Sequence, residues 1–474
     1  MDTQKSQNHG LHILFFPFMA LSHMLPMLDM AKLFARRGVK VTIVTTPANA
    51  AHIQFTDKRL SVELELIPFP SSAVGLPDGC ENLAAVHKEE LHNNFMEAVA
   101  MLRQPFDQIL LKLHPNAVIA DNFLPWTIKL ASNLGIPNLL FNSTGFFPLC
   151  VGNSMEKFNP GEEAESFVVP GLPHRIELLK SQLPEMSKLN PAFADLFTEI
   201  KEQEPRSYGT VVNSFYELEP DYVEHYRTVM GRRAWHIGPL FLCNENIDRD
   251  HSMREDECLA WLEEKQPGSV LYVCCGSLCA FSAEQLREMA LGFEASKHPF
   301  IWVLPQVVEN DEEMDWMPEG YVERIEGKGL IMRRWAPQVL TLKHRAVGGF
   351  LTHCGWNSIL EAVSAGVVMV TWPLFAEQFY NERLIVDVLG IGVAVGSKDW
   401  TRECEKRSVI DAGVIEKAVT RLMSGGEEAE GMRKKARELA AMAKRAVEKG
   451  GSSDKDIGSL IHELLLLNQK TACV

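Results

Sequence analysis

Residues 335–378 read WAPQVLTLKHRAVGGFLTHCGWNSILEAVSAGVVMVTWPLFAEQ and contain the most informative pattern in the chain. Within it, GGFLTH predicts a strand, CG a turn and WNSILEAVSAG a helix. A strand, a glycine turn and a helix N-terminus in this order form an anion-binding site, because the helix end offers unpaired N–H groups and the positive end of its dipole. Gly355 lets a ligand approach the backbone closely. Asn357 and Ser358 add donors in the first turn, and Glu361 can accept hydrogen bonds from sugar hydroxyls.

Two interpretations of this stretch are a ligand-binding site and a plain strand–helix unit whose polar residues only cap the helix. The spacing of the polar residues favours the ligand-binding site. The stretch resembles the donor-binding signature of plant UDP-dependent glycosyltransferases. The residues that match this signature in type and spacing are Trp335, Ala336, Pro337, Gln338, His353, Gly355, Trp356, Asn357, Ser358, Glu361, Pro373, Glu377 and Gln378. The resemblance implies an α/β protein of the GT-B fold, with two Rossmann-like domains whose parallel sheets face a central cleft.

The resemblance also implies contacts along a bound UDP-sugar. The uracil and ribose are expected to contact Trp335, Ala336, Gln338 and Glu361. The pyrophosphate is expected to contact His353, Gly355, Asn357 and Ser358. The sugar is expected to contact Trp356, Glu377 and Gln378. A glutamine at the last position indicates a preference for glucose in this family. Ser277 corresponds to a phosphate-binding position, and a plain turn serine is the alternative.

Composition sets the broad class of the protein. A chain of 474 residues is long for one core and predicts two domains. The net charge of −15 argues against nucleic acid or an acidic membrane surface as the main partner. No apolar run is long enough to span a membrane, and the short run stopped by Pro17 does not fit a signal peptide. Ten cysteines without a CxxC pair indicate reduced thiols in a cytoplasmic protein.

Motifs for other chemistries are missing or misplaced. The chain has no GxxxxGK[ST] and no GxSxG, which argues against a P-loop kinase and an α/β-hydrolase. Two DxD sequences, at 248–250 and 454–456, fall in a predicted linker and at a predicted helix start. We therefore expect no metal and no cofactor beyond the UDP-sugar co-substrate, and a monomer.

Short apolar runs alternate with helix-like segments along the chain, which predicts parallel sheets covered on both faces. The predicted strands are 11–17, 39–45, 62–68, 117–121, 138–142 and 210–214, and then 269–277, 299–304, 329–335, 347–353, 367–372 and 392–396. The predicted helices are 23–38, about 83–113, and several between 408 and 468 that break at Gly425-Gly426 and Gly450-Gly451. The proline- and glycine-containing region 150–190 is interpreted as irregular.

A polar, acidic stretch at 243–256 is interpreted as a linker between domains. It separates an acceptor-binding Rossmann-like domain at 1–242 from a UDP-sugar-binding one at 257–452. The resemblance implies that a final helix, about 453–474, returns to pack on the first domain. Ligands would bind in the cleft between the carboxyl ends of both sheets.

The first predicted strand–helix junction, FPFMALSHMLPMLDMAKLF, places a histidine at the carboxyl edge of the sheet. Ser22 is the expected N-cap, His23 the first helical residue, and Pro26 falls in the first turn, where its missing N–H costs little. The helix dipole would disfavour a protonated imidazole there, which suits a general base. A capping or core histidine is the alternative from the residues alone, whereas the family resemblance implies the base.

Asp121 ends the apolar strand in VIADNFLPWT and is expected at the same sheet edge. An aspartate bonded to the far nitrogen of His23 would fix the imidazole tautomer and stabilise the cation that forms on proton transfer. The alternative is an N-cap for a helix at 124–134. The catalytic role is implied by a family pattern, matched here by Asp121, Phe123, Pro125, Trp126 and Thr127.

Aromatic residues near these two side chains define a candidate acceptor pocket. It would suit a planar or polycyclic molecule, and its candidate aromatic residues are Phe18, Phe123, Trp126, Phe146 and Phe147. The same residues could equally belong to the core. Ser22 stands where the family often has glycine, so its hydroxyl adds bulk and a donor near the acceptor.

These features together predict inverting transfer of glucose from UDP-glucose to a hydroxyl group. The N-terminal run FPFMALSHMLPMLDMAKLFARRGVKVTIVTTP resembles the branch acting on flavonoids, triterpenoid sapogenins and steroids, which favours a phenolic or triterpenoid acceptor. Two alternatives remain open. One is a UDP-sugar enzyme without an external acceptor, such as a 2-epimerase, and the other is a catalytically silent small-molecule-binding protein.

Overall fold

The chain folds around two parallel β-sheets. The computed structural model describes residues 10–51, 53, 60–86, 91–158, 165–184, 191–244, 253–276, 279–304, 316–333 and 336–472. The first sheet contains β1 (His12–Phe16), β2 (Lys40–Thr45), β3 (Val62–Leu66), β4 (Ala117–Asp121), β5 (Asn138–Asn142), β8 (Gly209–Val212) and β9 (Ala234–His236). A separate antiparallel pair is formed by β6 (Ser166–Val168) and β7 (Glu177–Leu179).

The second sheet is built from the later part of the chain. It contains β10 (Val270–Cys274), β11 (Phe300–Leu304), β12 (Gly329–Arg333), β13 (Val347–Thr352), β14 (Val368–Thr371) and β15 (Gly392–Ala394). The strand orders are β3-β2-β1-β4-β5-β8-β9 and β12-β11-β10-β13-β14-β15, and neighbouring strands are parallel.

Helices connect the strands and cover both faces of each sheet. In the first half of the chain they are α1 (Leu21–Arg36), α2 (Pro47–Ala50), α3 (Leu91–Met101), α4 (Arg103–Leu113), α5 (Trp126–Asn133), α6 (Phe146–Lys157), α7 (Pro191–Gln203) and α8 (Pro220–Glu224). In the second half they are α9 (Met253–Glu263), α10 (Ala283–Ser296), α11 (Tyr321–Arg324), α12 (Gln338–Lys343), α13 (Trp356–Ala365), α14 (Gln378–Arg383), α15 (Ala412–Met423), α16 (Glu427–Val447) and α17 (Ser452–Ala472).

The α/β class and the GT-B arrangement of parallel sheets are confirmed. Strands such as β4 and β5 are buried along their whole length, because helices pack on both sheet faces, and this makes them readable as apolar runs. The sequence analysis missed β9 and the β6–β7 pair, which are short. The predicted helix at 83–113 is divided in two at Leu102. The helix α9 begins at Met253, inside the predicted linker, and residues 245–252 lie outside the described part, so the domain limits stay a prediction.

Each sheet reverses its strand order once, and the reversals place the candidate site. The reversal lies between β1 and β4 in the first sheet, and between β10 and β13 in the second. In open parallel sheets a ligand crevice forms outside the carboxyl ends of the strands at such a point. His23 follows β1, Asp121 ends β4, and Gly276 and Gly355 follow β10 and β13.

The last helix packs against the first sheet. Ile457, Leu460 and Leu464 of α17 are buried in a cluster that also contains residues of β1, β2 and α1. Two ion pairs, Arg37–Asp454 at 2.6 Å and Arg227–Asp456 at 2.8 Å, fix the start of the helix. The aspartates of this DxD sequence are therefore engaged by arginines. In the described part of the chain, no helix is long and apolar enough to cross a membrane.

We predict that replacing Leu460 with alanine lowers the free energy of unfolding by about 2–5 kcal/mol, because it leaves a cavity between α17 and the first sheet. Denaturant unfolding followed by tryptophan fluorescence measures this change. Leu466→Ala, in the same helix but 45% exposed, is the matched control and should stay within about 0.5 kcal/mol of the parent. Equal stabilities of the two variants would contradict the packing role of α17.

Candidate active site

The amino end of α1 carries the candidate base. The helix begins at Leu21 with Ala20 as its N-cap, so the predicted N-cap Ser22 is wrong: Ser22 is the second helical residue and His23 the third. Ala20 has an extended backbone, and its carbonyl accepts from the N–H of His23 at 2.9 Å, so the chain turns into the helix earlier than predicted. Pro26 accordingly lies past the first turn, inside the helix.

His23 and Asp121 are brought together at the end of β4. The Nδ1 atom of His23 lies 2.9 Å from Oδ2 of Asp121, whose side chain is fully buried. The other carboxylate oxygen accepts from the N–H of Phe123 at 3.0 Å. Asp121 does not cap α5, whose N-cap is Pro125, so the capping alternative is wrong. The carboxylate holds the proton on Nδ1, which leaves the Nε2 lone pair of His23 available.

The protonation of His23 is set by its carboxylate neighbours. Burial lowers the pKa of His23, but the charge and hydrogen bond of Asp121 and the charge of Glu377 raise it more, so the pKa lies above 6.5. The expectation that the helix dipole would keep this imidazole neutral therefore misses the larger effect. A raised pKa makes His23 a stronger proton acceptor.

Only some of the predicted acceptor residues lie beside His23. The rings of Phe18 and Phe123 lie 5.5 and 5.0 Å from its imidazole, and Phe123 is partly exposed whereas Phe18 is buried. Phe146 is fully buried against Tyr226, so its predicted place in an open pocket is wrong.

Two further aromatic candidates belong to the core. Trp126 packs on Phe106, and Phe147 packs on Tyr222. Both are buried, because they face sheets and helices rather than the crevice. For Trp126, Phe146 and Phe147 the core alternative is the one the structure supports.

A serine near the base was not predicted. The Ser143 hydroxyl oxygen lies 3.3 Å from His23 Nδ1, just after β5. This position is at the carboxyl edge next to β4, so strand order would have placed it near Asp121. The sequence order alone could not, because the neighbours of β4 in the sheet were not known.

The turn before α13 is shaped by glycines around His353. A Cβ atom on Gly355 would lie 2.4 Å from Nε2 of His353, and one on Gly276 would lie 2.8 Å from the same ring. Only glycine fits at either place. Burial lowers the pKa of His353 to about 4, so its ring is neutral at neutral pH. Its Nδ1 is buried without a hydrogen-bond partner among the described residues.

Gln338 connects the predicted nucleoside contacts. Its side-chain amide donates to the Ser358 hydroxyl at 3.1 Å and to the Glu361 carboxylate at 2.7 Å. The Tyr272 hydroxyl donates to its carbonyl oxygen at 3.4 Å. Ala336 is buried immediately before α12. These contacts place Gln338, Ser358 and Glu361 on one surface beside the amino end of α13.

Trp356 does not line an open sugar site. Its indole is 2% exposed and donates through Nε1 to the Asn213 carbonyl at 2.7 Å, in the first half of the chain. A sugar could therefore meet Trp356 only through its backbone. Asn357, the next residue, also reaches the first half: its side-chain nitrogen donates to the Ser22 carbonyl at 2.8 Å.

The last two predicted donor residues lie at the start of α14, with Glu377 as its N-cap and Gln378 as its first residue. The Gln378 carbonyl oxygen accepts from the N–H groups of Leu374 and Phe375 at 2.9 and 3.1 Å. The amide NH2 of Gln378 is thereby oriented as a donor. Glu377 accepts from Asn381 at 3.4 Å and is close enough to His23 for their charges to interact.

Two predicted donor residues, Ser277 and Trp335, lie outside the described residues. No group of three or more histidine, cysteine, aspartate or glutamate side chains that could hold a metal occurs within the described ranges.

A buried glutamate was also missed by the sequence analysis. Both Glu219 oxygens accept from backbone at the start of α6, from Phe146 N at 3.0 Å and Phe147 N at 2.7 Å. Burial raises its pKa to about 7, although Ser214 and these N–H groups stabilise the carboxylate. Its position could not be foreseen, because it caps a helix far away in sequence.

The similarity of this chain to known proteins extends over nearly its whole length. Residues 210–412 match the family described as UDP-glucoronosyl and UDP-glucosyl transferase. The chain is 48% identical to the scopoletin glucosyltransferase of Nicotiana tabacum, with 96% of this chain and 98% of that protein covered. It is 46% identical to UDP-glucose flavonoid 3-O-glucosyltransferase 7 of Fragaria ananassa, with 98% of each covered.

A solved structure gives the same result for the fold. The structure of Glycyrrhiza uralensis UGT73P12 complexed with glycyrrhetinic acid 3-O-monoglucuronide matches with a TM-score of 0.90 and 38% identity, covering 98% of this chain and 97% of that chain. The likeness thus includes both sheets and the crevice between them. The chain belongs to the plant UDP-dependent glycosyltransferase family and is a UDP-glycosyltransferase of the GT-B fold.

Proposed function

We propose that this enzyme transfers glucose from UDP-glucose to a hydroxyl of a small lipophilic plant metabolite, and releases a β-O-glucoside and UDP. The observation that carries this proposal is the His23–Asp121 pair at 2.9 Å, next to the amino end of α13, where Asn357 donates to the Ser22 carbonyl at 2.8 Å. A base beside a helix end that can bind an anion suits a displacement in which the base takes a proton and the helix end receives a diphosphate.

The base acts on the acceptor. With Nδ1–H donated to Asp121, His23 takes the acceptor hydroxyl proton on Nε2. The acceptor oxygen attacks the anomeric carbon from the face opposite UDP, and the bond to the diphosphate breaks. One displacement inverts the α-linked sugar to a β-glucoside. Asp121 stabilises the imidazolium that results.

The diphosphate is received at the start of α13. Backbone N–H groups and the helix dipole stabilise the developing charge, with Asn357 and Ser358 as further donors. The neutral imidazole of His353 donates one hydrogen bond rather than a positive charge. Gln338 and Glu361 meet the ribose, and the oriented NH2 group of Gln378 meets glucose hydroxyls.

The acceptor is proposed to be a planar phenolic or a triterpenoid. Phe123 is the partly exposed aromatic ring beside His23, and Leu21 and Leu25 of α1 are exposed on the same helix end. The matched relatives are named for scopoletin and a flavonoid, and the matched structure holds a glycyrrhetinic acid derivative. We also propose a monomer acting in the cytoplasm, a reducing compartment in which the free described cysteines would stay reduced.

We expect His23→Ala to lower kcat by about 100-fold or more, because the acceptor hydroxyl loses its general base. The assay measures glucoside formation from UDP-glucose and a panel of flavonols, coumarins and triterpenoids. His462→Ala, an exposed histidine on α17, is the control and should keep full turnover.

The panel also separates the alternatives. UDP release that does not depend on any acceptor would favour a 2-epimerase-like enzyme, and acceptor binding in calorimetry without turnover would favour a silent binding protein. An undiminished kcat in His23→Ala would contradict the base assignment.

The pH profile tests Asp121. A base must be unprotonated, so kcat/KM of the parent should fall as the pH drops through the raised pKa of His23, which lies above 6.5. In Asp121→Asn the lowering effect of burial remains while the carboxylate charge is lost, so this limb should move to lower pH. The maximal rate should also fall about 100-fold or more, because the tautomer is no longer held. Asp78→Asn, at an exposed site, should leave the profile unchanged, and an unmoved acidic limb in Asp121→Asn would contradict the pairing.

The proposed reaction is independent of metal. Helix N–H groups and neutral side chains receive the diphosphate, and Asp454 and Asp456 of one DxD sequence are engaged by arginines. We expect turnover to be unchanged after treatment with EDTA and removal of the chelate. A loss of more than about tenfold that Mg²⁺ restores would contradict this proposal.

A further inference from the structure

Pro26 changes the hydrogen bonding of the helix turn that carries His23. In a helix the carbonyl of Ser22 would accept from the N–H of residue 26, but proline has no N–H. The Ser22 carbonyl therefore lacks its intrahelical donor. Because this carbonyl belongs to the residue just before His23, whatever binds it also fixes the position of the base.

The hydrogen-bond donor to the Ser22 carbonyl comes from α13. Asn357, the second residue of α13, donates its side-chain N–H to the Ser22 carbonyl at 2.8 Å. Its neighbour Trp356 donates to the Asn213 carbonyl at 2.7 Å. Two successive residues at the start of α13 thus donate hydrogen bonds to two carbonyls in the first half of the chain.

We infer that Asn357 is a positioning residue, which fixes the His23 turn of α1 against α13. It does so through the Ser22 carbonyl, which has no intrahelical donor because Pro26 lacks an N–H. This inference rests on the proposed function for its effect on rate. The amide NH2 has two hydrogens, so one can bond Ser22 while the other meets the diphosphate. One side chain then sets the distance between the base and the bound donor, and small errors in such a distance lower the rate strongly.

The inference predicts coupling between residues 26 and 357. Pro26→Ala restores the N–H of residue 26, which competes with Asn357 for the Ser22 carbonyl, and alanine favours the helical conformation, so the fold should persist. We expect Asn357→Ala to lower kcat roughly 3- to 10-fold more in the Pro26 protein than in the Pro26→Ala protein. KM for UDP-glucose and the Kd of UDP should show no such coupling, because the contact of Asn357 with the diphosphate is lost in both backgrounds.

A second pair of substitutions serves as the control for this coupling. Asn133→Ala, exposed at the end of α5, should act additively with Pro26→Ala. Additive effects of Pro26→Ala and Asn357→Ala on kcat would overturn the inference.

Hydrogen exchange measured by mass spectrometry on peptides covering 21–28 needs no acceptor. Exchange should become about threefold faster or more in Asn357→Ala, and by less in the Pro26→Ala background. Unchanged exchange would overturn the inference even if no glucoside were formed, whereas absent glucoside with altered exchange would count only against the proposed function.

Discussion

The site depends on how the Trp356 indole is held by the first half of the chain. The ring lies against Gly145, where a Cβ atom would come within 2.4 Å of it, and its N–H bonds the Asn213 carbonyl. The same Cβ atom would come within 2.8 Å of Oε1 of Glu219, whose carboxylate binds the first N–H groups of α6. Trp356, the first residue of α13, is thus fixed by a buried contact. The packing of its indole therefore sets the width of the crevice.

The pKa values of the two histidines of the crevice are shifted in opposite directions, because only His23 has a carboxylate partner. Both are largely removed from solvent, which disfavours the charged ring. Asp121 and Glu377 together more than offset this cost for His23, whereas His353 stands between two glycines and has no charged partner among the described residues. In the proposed reaction, histidine therefore supplies both the proton acceptor, His23, and a neutral hydrogen-bond donor, His353.

The parts of the fold and the site that could be predicted are those that depend on short stretches of sequence. Buried parallel strands appear as short apolar runs, and a polar residue at the end of such a run, like Asp121, lies at the carboxyl edge by construction. The starting point of α1 could not be predicted, because Ser22 is the better capping residue and the chain nevertheless turns at Ala20. The burial of Trp356 and Phe146 also could not be predicted, since it arises from residues distant in the chain, Asn213 for Trp356 and Tyr226 for Phe146. Aromatic character alone does not distinguish a pocket wall from a core.

In the proposed reaction the diphosphate is received by neutral donors at the start of α13, although the chain carries a net charge of −15. At physiological ionic strength the charge of distant groups is screened beyond about 8 Å, so binding depends on groups in direct contact with the diphosphate. A lysine would attract UDP before and after transfer alike, and such uniform binding does not speed the chemical step. Dipoles at a helix end are already oriented and respond most strongly to charge that appears on the nearest oxygen. Donors of this kind favour the state in which the sugar bond is breaking, and they hold the product less tightly than a full positive charge would.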